Sequence, residues 1–138
     1  MRANDIGLLI LRLTMAIVMF PHGAQKALGW FGGPGIAGVV AGLSGHLGLP
    51  PAVVYLVIGV EFIGPILLVL GIITRIAALG IAIDMACAAI LVHAPNGFFM
   101  NFTGKQAGEG VEFFVLLVGI GLALTVTGPG RIAIMKRI

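Results

Sequence analysis

Of the 138 residues, 59% are hydrophobic and only 9% are charged, with a formal net charge of +3. A soluble domain carries about 25% charged residues, so this composition excludes an ordinary soluble enzyme and reads as an integral membrane protein. The basic residues sit in short connections and near the C-terminus, not in one patch interleaved with aromatics, which excludes nucleic acid as a partner.

The first predicted span runs from Asn4 to His22, with Asn4 or Asp5 as its cap. Ile6 to Phe20 has the length of a signal-peptide core, but Asp5 and Arg12 interrupt that pattern, so a membrane helix is expected. Pro21 and the glycines behind it are expected to bend the chain back. In the connection 23–49, Ile36 to Leu47 predicts a short Gly- and Ala-rich helix, interfacial or re-entrant. Gly38 and Gly42 give it a small-x-x-x-small match.

Pro50-Pro51 opens the second span, Ala52 to Leu70, because proline suits a first helical turn. The third, Thr74 to His93, is closed by Pro95-Asn96-Gly97, and the fourth, Gly110 to Thr127, by Gly128-Pro129-Gly130. Each has about the 17–25 residues needed to cross the hydrocarbon. The runs are too long and too uniformly apolar for barrel strands. The expected fold is therefore all-α: one domain over 1–138, an integral membrane four-helix bundle with a short helix between spans 1 and 2.

Orientation follows from the cations beside the spans. Arg2, Arg75, Arg131, Lys136 and Arg137 fall on one side, and Lys26 and Lys105 on the other. The positive-inside rule places both termini in the cytoplasm and the loops 23–49 and 94–109 outside.

A charge at mid-bilayer costs roughly 2.5–3.5 kcal/mol on insertion scales, so each one implies a partner or a polar cavity. Arg12, Glu61, Asp84 and Glu112 lie within the spans. One reading makes Arg12 a structural ion-pair partner of Glu61 or Asp84 at similar depth. Gly80, Cys87 and Ala88 share the face of Asp84, which predicts that it points inward. Cys87, the single cysteine, permits no disulfide within the chain and reads as a packing residue, so redox chemistry would need a cofactor, a quinone or a partner.

His22, His93 and Glu112 are expected in one layer at the outer end, with Glu109 on the face of Glu112. Such a layer has three chemical meanings. The histidines and carboxylates could bind a transition metal, although no H-x-x-x-H or H-E-x-x-H pair is present. His22 and His93 could instead hydrogen-bond the carbonyl oxygens of a quinone and exchange protons with it. The third meaning is structural, helix-end histidines capped by backbone and headgroups. His46 is expected to be exposed. Trp30, Phe31, Phe98, Phe99 and Phe102 fit an aromatic interfacial belt, and could also wall a site for a flat ring.

The order RLTMAIVMFPHGAQKALGWFGGPGI, GLPP, GVEFIGPILLVLGIITR and VHAPNGFFMN, followed by a late acidic pair, closely resembles the DoxX family of small bacterial and archaeal membrane proteins over nearly the whole chain. The resemblance implies a four-helix protein of the cytoplasmic membrane associated with oxidoreductase systems, some relatives being subunits of a thiosulfate:quinone oxidoreductase or of assemblies that handle thiol and oxidative stress. Motif residues it carries over are His22, Gln25 and Lys26, then Glu61, then His93, Asn96 and Gly97, with Arg12 and Arg75 at basic positions. The leading expectation is a quinone-linked component acting on sulfur or thiol compounds. His22, Glu61, His93 and Glu112 would do the chemistry, and Gln25, Lys26, Trp30, Asn96 and Lys105 would bind the ring or attract an anionic donor. Quinone is the expected cofactor, with no covalent cofactor motif. A partner oxidoreductase subunit and a homo-oligomer are the expected protein partners. The alternatives are a non-enzymatic scaffold or small-molecule carrier, and a metal-binding membrane protein.

Overall fold

In a computed structural model, which describes residues 2–136, the apolar runs form helices and no strand occurs among the described residues. Arg137, counted above among the cations, lies outside them. The helices are α1 (Ala3–Leu28), α2 (Gly35–Leu47), α3 (Pro51–Leu70), α4 (Thr74–Ala88) and α5 (Glu112–Thr127). A single 3₁₀ turn, Trp30–Gly32, precedes α2. A wide π turn, Ala89–His93, and a 3₁₀ turn, Ala94–Asn96, extend α4.

Three of these segments, Ala3–Leu28, Pro51–Leu70 and Thr74–Asn96, are long and apolar enough to cross a membrane. The fourth, Glu112–Thr127, is apolar and has 16 residues. Together they make a helical bundle in which α1 packs on α3 and α4 on α5, while α2 lies across α1 and α3. The main core gathers Met15, Met19, Leu68, Ile81, Leu117 and Leu124. Val39 of α2 closes a smaller core with Val54 and Ile58 of α3.

Two glycines set how closely the helices approach. A Cβ on Gly23 would collide with the backbone of Glu61 and Phe62, and one on Gly121 would lie 2.8 Å from the Ala82 Cβ. Only hydrogen at these positions lets α1 meet α3 and α5 meet α4 at these distances. Gly38 and Gly42 do no such work. A Cβ on Gly42 would meet nothing within 4 Å, and Gly38 faces only Pro34 of its own segment.

Helix α1 passes through Pro21 and ends at Gly29, whose left-handed backbone sends its N–H to the Ala24 carbonyl. Pro21 does not end the helix, which in apolar surroundings keeps its remaining backbone bonds; the chain leaves the helix at a glycine behind it, Gly29. Gln25 and Lys26, expected in a loop, therefore belong to the last turns of a helix.

The segment after α5 folds back over the end of the bundle that holds both termini. Ile134 and Met135 donate N–H bonds to Leu70 O at 3.1 Å and Gly71 O at 3.0 Å, and Arg131 N donates to Asp5 Oδ1 at 3.0 Å. Arg12 is buried beneath it. Its guanidinium donates to Leu68 O at 2.9 Å, Val69 O at 3.2 Å, and Pro129 O and Ile132 O at 2.8 Å each. The expected ion pair of Arg12 with Glu61 or Asp84 does not form. Arg12 meets α3 at Leu68 and Val69, whereas Gly23 meets it at Glu61, and 11 residues of helix span about 16 Å.

Candidate functional site

The end of the bundle remote from the termini contains a cavity of about 360 Å³. Helix α1 contributes Met19, His22 and Lys26 at spacings of three and four residues, which put them on one face. Glu61 enters from α3, Met85 and Ala88 from α4, and His93 from the π turn. Met100 and Glu109 come from the loop, and Phe113 and Phe114 from α5. Four of the expected site residues thus converge: His22, Lys26, Glu61 and His93.

Lys26 Nζ is hydrogen-bonded to Glu61 Oε2 in an ion pair. The Glu61 side chain is 4% exposed and that of Lys26 27% exposed, so the carboxylate is held inside while the ammonium remains reachable. Asp84 of α4 lines, together with Glu61, a smaller hollow beside the cavity. Its Oδ2 is buried without a hydrogen-bond partner. Asp84 is therefore inward-facing, as its small-residue neighbours predicted.

His93 packs its ring on Phe114, centroids 4.3 Å apart, and its Nδ1 lies 3.0 Å from the Glu109 carbonyl. A carbonyl only accepts, so Nδ1 carries the proton, and in the neutral ring Nε2 is left as an acceptor. Asn96 Nδ2 donates to the same carbonyl at 3.0 Å. Asn96 thus supports His93 through a shared acceptor and does not line the cavity. His22 is exposed at the rim.

Other expected site residues fall elsewhere. Glu112 Oε1 accepts the Met100 N–H at 2.8 Å, so this carboxylate fastens the loop over the cavity instead of facing into it. Glu109 precedes α5 and does not share a helical face with Glu112. It is Glu109 that lines the cavity. Lys105 is exposed in the loop. Gln25 lies along a neighbouring hollow. Trp30 is 53% exposed, and Phe31, Phe98, Phe99 and Phe102 are 53–89% exposed. They project outward as a belt would, and the aromatic walls are Phe113 and Phe114 instead.

A family model described as DoxX matches residues 7–94, more than half of the chain. The chain belongs to the DoxX family. The matched region includes His22, Lys26, Glu61, Asp84 and His93, and stops short of Glu109 and α5. Among curated relatives of this DoxX protein, "Putative oxidoreductase CatD" of Bacillus subtilis (strain 168) is 31% identical over 124 residues, 90% of this chain and 82% of the relative. "Inner membrane protein YphA" of Escherichia coli (strain K12) is 30% identical over 139 residues, 98% of this chain and 92% of the relative. No solved structure matches.

The cavity walls of this DoxX protein were only partly foreseeable. Met19 sits one turn before His22 and could have been found by helical spacing. Met85, Met100, Phe113 and Phe114 had no polar signal to mark them. Among the described residues no group of three or more His, Cys, Asp or Glu side chains is arranged to hold a metal ion. The residues present suit a flat ring better: thioethers and phenyl rings for its faces, and imidazole, ammonium and carboxylate for polar atoms at its edge.

Proposed function

We propose that this DoxX protein is a quinone-linked component of a membrane oxidoreductase system acting on sulfur or thiol compounds. What carries the reading is the meeting of His22, Lys26, Glu61 and His93 in one cavity walled by methionine and phenylalanine. The name of the Bacillus relative supports the oxidoreductase class. The cation count supports an extracytoplasmic position for the cavity, with both termini in the cytoplasm.

Reducing a quinone adds two electrons and two protons to its carbonyl oxygens, the electrons coming from a sulfur donor, directly or through a partner subunit. Joining two thiols as a disulfide releases two of each. The chain's own part is to bind the ring and move protons. His93, fixed by the Glu109 carbonyl, presents Nε2 as an acceptor to a quinol hydroxyl, or as a donor to a quinone carbonyl once the imidazole is protonated. His22 serves the same function at the rim, and the Lys26–Glu61 pair supplies a donor beside an acceptor. Lys105, exposed in the loop, attracts an anionic donor.

The experiment is equilibrium binding of a short-chain quinone to purified protein in nanodiscs, followed by donor oxidation with the partner proteins present. His22→Gln and His93→Gln should each weaken ring binding about tenfold, the value of one good hydrogen bond to a polar ligand, with helical content unchanged. Ring binding indifferent to both substitutions would sink the proposal.

A further inference from the structure

Three hollows meet at Lys26. Besides the cavity of about 360 Å³, a chamber of about 200 Å³ lies between α3 and α4 beneath the end of α2. It shares Lys26, Glu61 and Ala88 with the cavity. A third hollow, about 430 Å³, follows α2 and shares Lys26, Leu43, Leu47 and Val92 with the chamber. The Lys26–Glu61 pair therefore stands at the junction of the ring-sized cavity and a second, largely apolar passage.

The passage has an open side. Helix α2 rests on α1 and α3, and its Val39 is buried against Val54 and Ile58. Toward α4 it leaves Leu91 and Val92 exposed by 53% and 45%. The chamber wall is Leu43, Leu47, Leu49, Val57 and Leu91, and its charged residues are Lys26, Glu61 and Asp84. Lys26 is already paired with Glu61, and Glu109 adds a second carboxylate to the cavity, so a phosphate-bearing lipid head is disfavoured there and a neutral head favoured.

We propose that the chamber and the hollow along α2 hold the apolar chain of the ligand whose ring occupies the cavity. The ligand class is then a neutral ring carrying one prenyl or alkyl chain, admitted sideways between α2 and α4. This rests on the reading of the cavity as a ring site and adds the site of the chain. Because lipid tails are as apolar as the passage, the chain gains packing and direction there rather than a hydrophobic driving force.

Cys87, expected as a packing residue, is instead exposed at the edge of the chamber, which makes it a native reporter. Its alkylation rate by a small maleimide is measured on the full chain in nanodiscs with a fully substituted prenyl quinone, with the same ring lacking its chain, and with phospholipid alone. Equilibrium dialysis gives ring occupancy in parallel. The expected result is that the prenyl quinone slows alkylation, that the bound chainless ring does not, and that Leu43→Trp removes the difference between the two. Equal rates with both quinones at full ring occupancy overturn the inference while leaving the ring site intact. Protection by phospholipid alone assigns the passage to bulk lipid and also overturns it. Absence of ring occupancy overturns the proposed function itself.

Discussion

Lys26 and Glu61 face each other across the α1–α3 contact one turn beyond Gly23, where the two backbones approach too closely for a side chain. Glu61 is 3% exposed. The tight contact that buries this carboxylate also brings the ammonium within reach of it, so packing and charge compensation arise from the same stretch of helix.

Removing one partner leaves the other uncompensated. Lys26→Met should destabilise the protein by about 3 kcal/mol, the lower part of the range for breaking a buried pair. The double variant Lys26→Met with Glu61→Gln should recover most of that loss. Unfolding of Lys26→Met, Glu61→Gln and the double variant in mild detergent checks this, and an additive double variant would show that the pair is not coupled.

The all-α architecture, the short helix before α3 and the inward Asp84 were legible because they depend on local signals: apolar run length, Pro50-Pro51, and small residues at helical spacing. The end of α1 was not. Proline terminates helices in water, where freed backbone groups find solvent, but between apolar neighbours the helix runs on to Gly29. That single difference moved Gln25 and Lys26 from a loop onto a helix and gave Glu61 a partner other than Arg12. The surroundings of Arg12 depend on a tail more than 110 residues away folding back, which no local pattern announces. Glu112 was placed in the site by its depth alone, and depth does not say which way a carboxylate turns.

Arg12 supports the opposite end of the molecule. Its bonds to Leu68, Val69, Pro129 and Ile132 satisfy carbonyls at the end of α3 and in the folded-back tail. Arg12→Met should cost about 3–5 kcal/mol, and Arg12→Lys should rescue little, because an ammonium cannot span four acceptors in a fork. Limited trypsin digestion should then cut after Arg131 faster than in the parent. An unchanged rate would show that the tail is held by other contacts.

Gly23 and Gly45 provide a matched pair. An added Cβ meets Glu61 backbone atoms at the first and nothing within 4 Å at the second. Gly23→Ala should destabilise by about 1–3 kcal/mol through overpacking. Gly45→Ala should stabilise α2 by about 0.5–1 kcal/mol, since alanine gives up less backbone freedom in a helix than glycine. Thermal unfolding of both variants in one detergent decides it; similar behaviour would mean that the α1–α3 spacing is not set at Gly23.

Glu112 separates loop support from proton chemistry. Its Oε1 accepts the Met100 N–H, and the same loop is tied by Gly110 N to Phe99 O at 3.1 Å and Glu112 N to Phe98 O at 2.9 Å. Glu112→Ala removes the acceptor, and the Met100 amide should exchange hydrogen about tenfold faster, the consequence of losing about 1.4 kcal/mol of local protection. Glu112→Gln keeps a carbonyl oxygen in place, so loop protection and ring affinity should both stay near the parent values. Lys105→Ala, exposed in the same loop, should change neither. If Glu112→Gln instead abolishes ring binding while the Met100 amide stays protected, the charge of Glu112 acts on the ligand and its assignment to the loop is wrong.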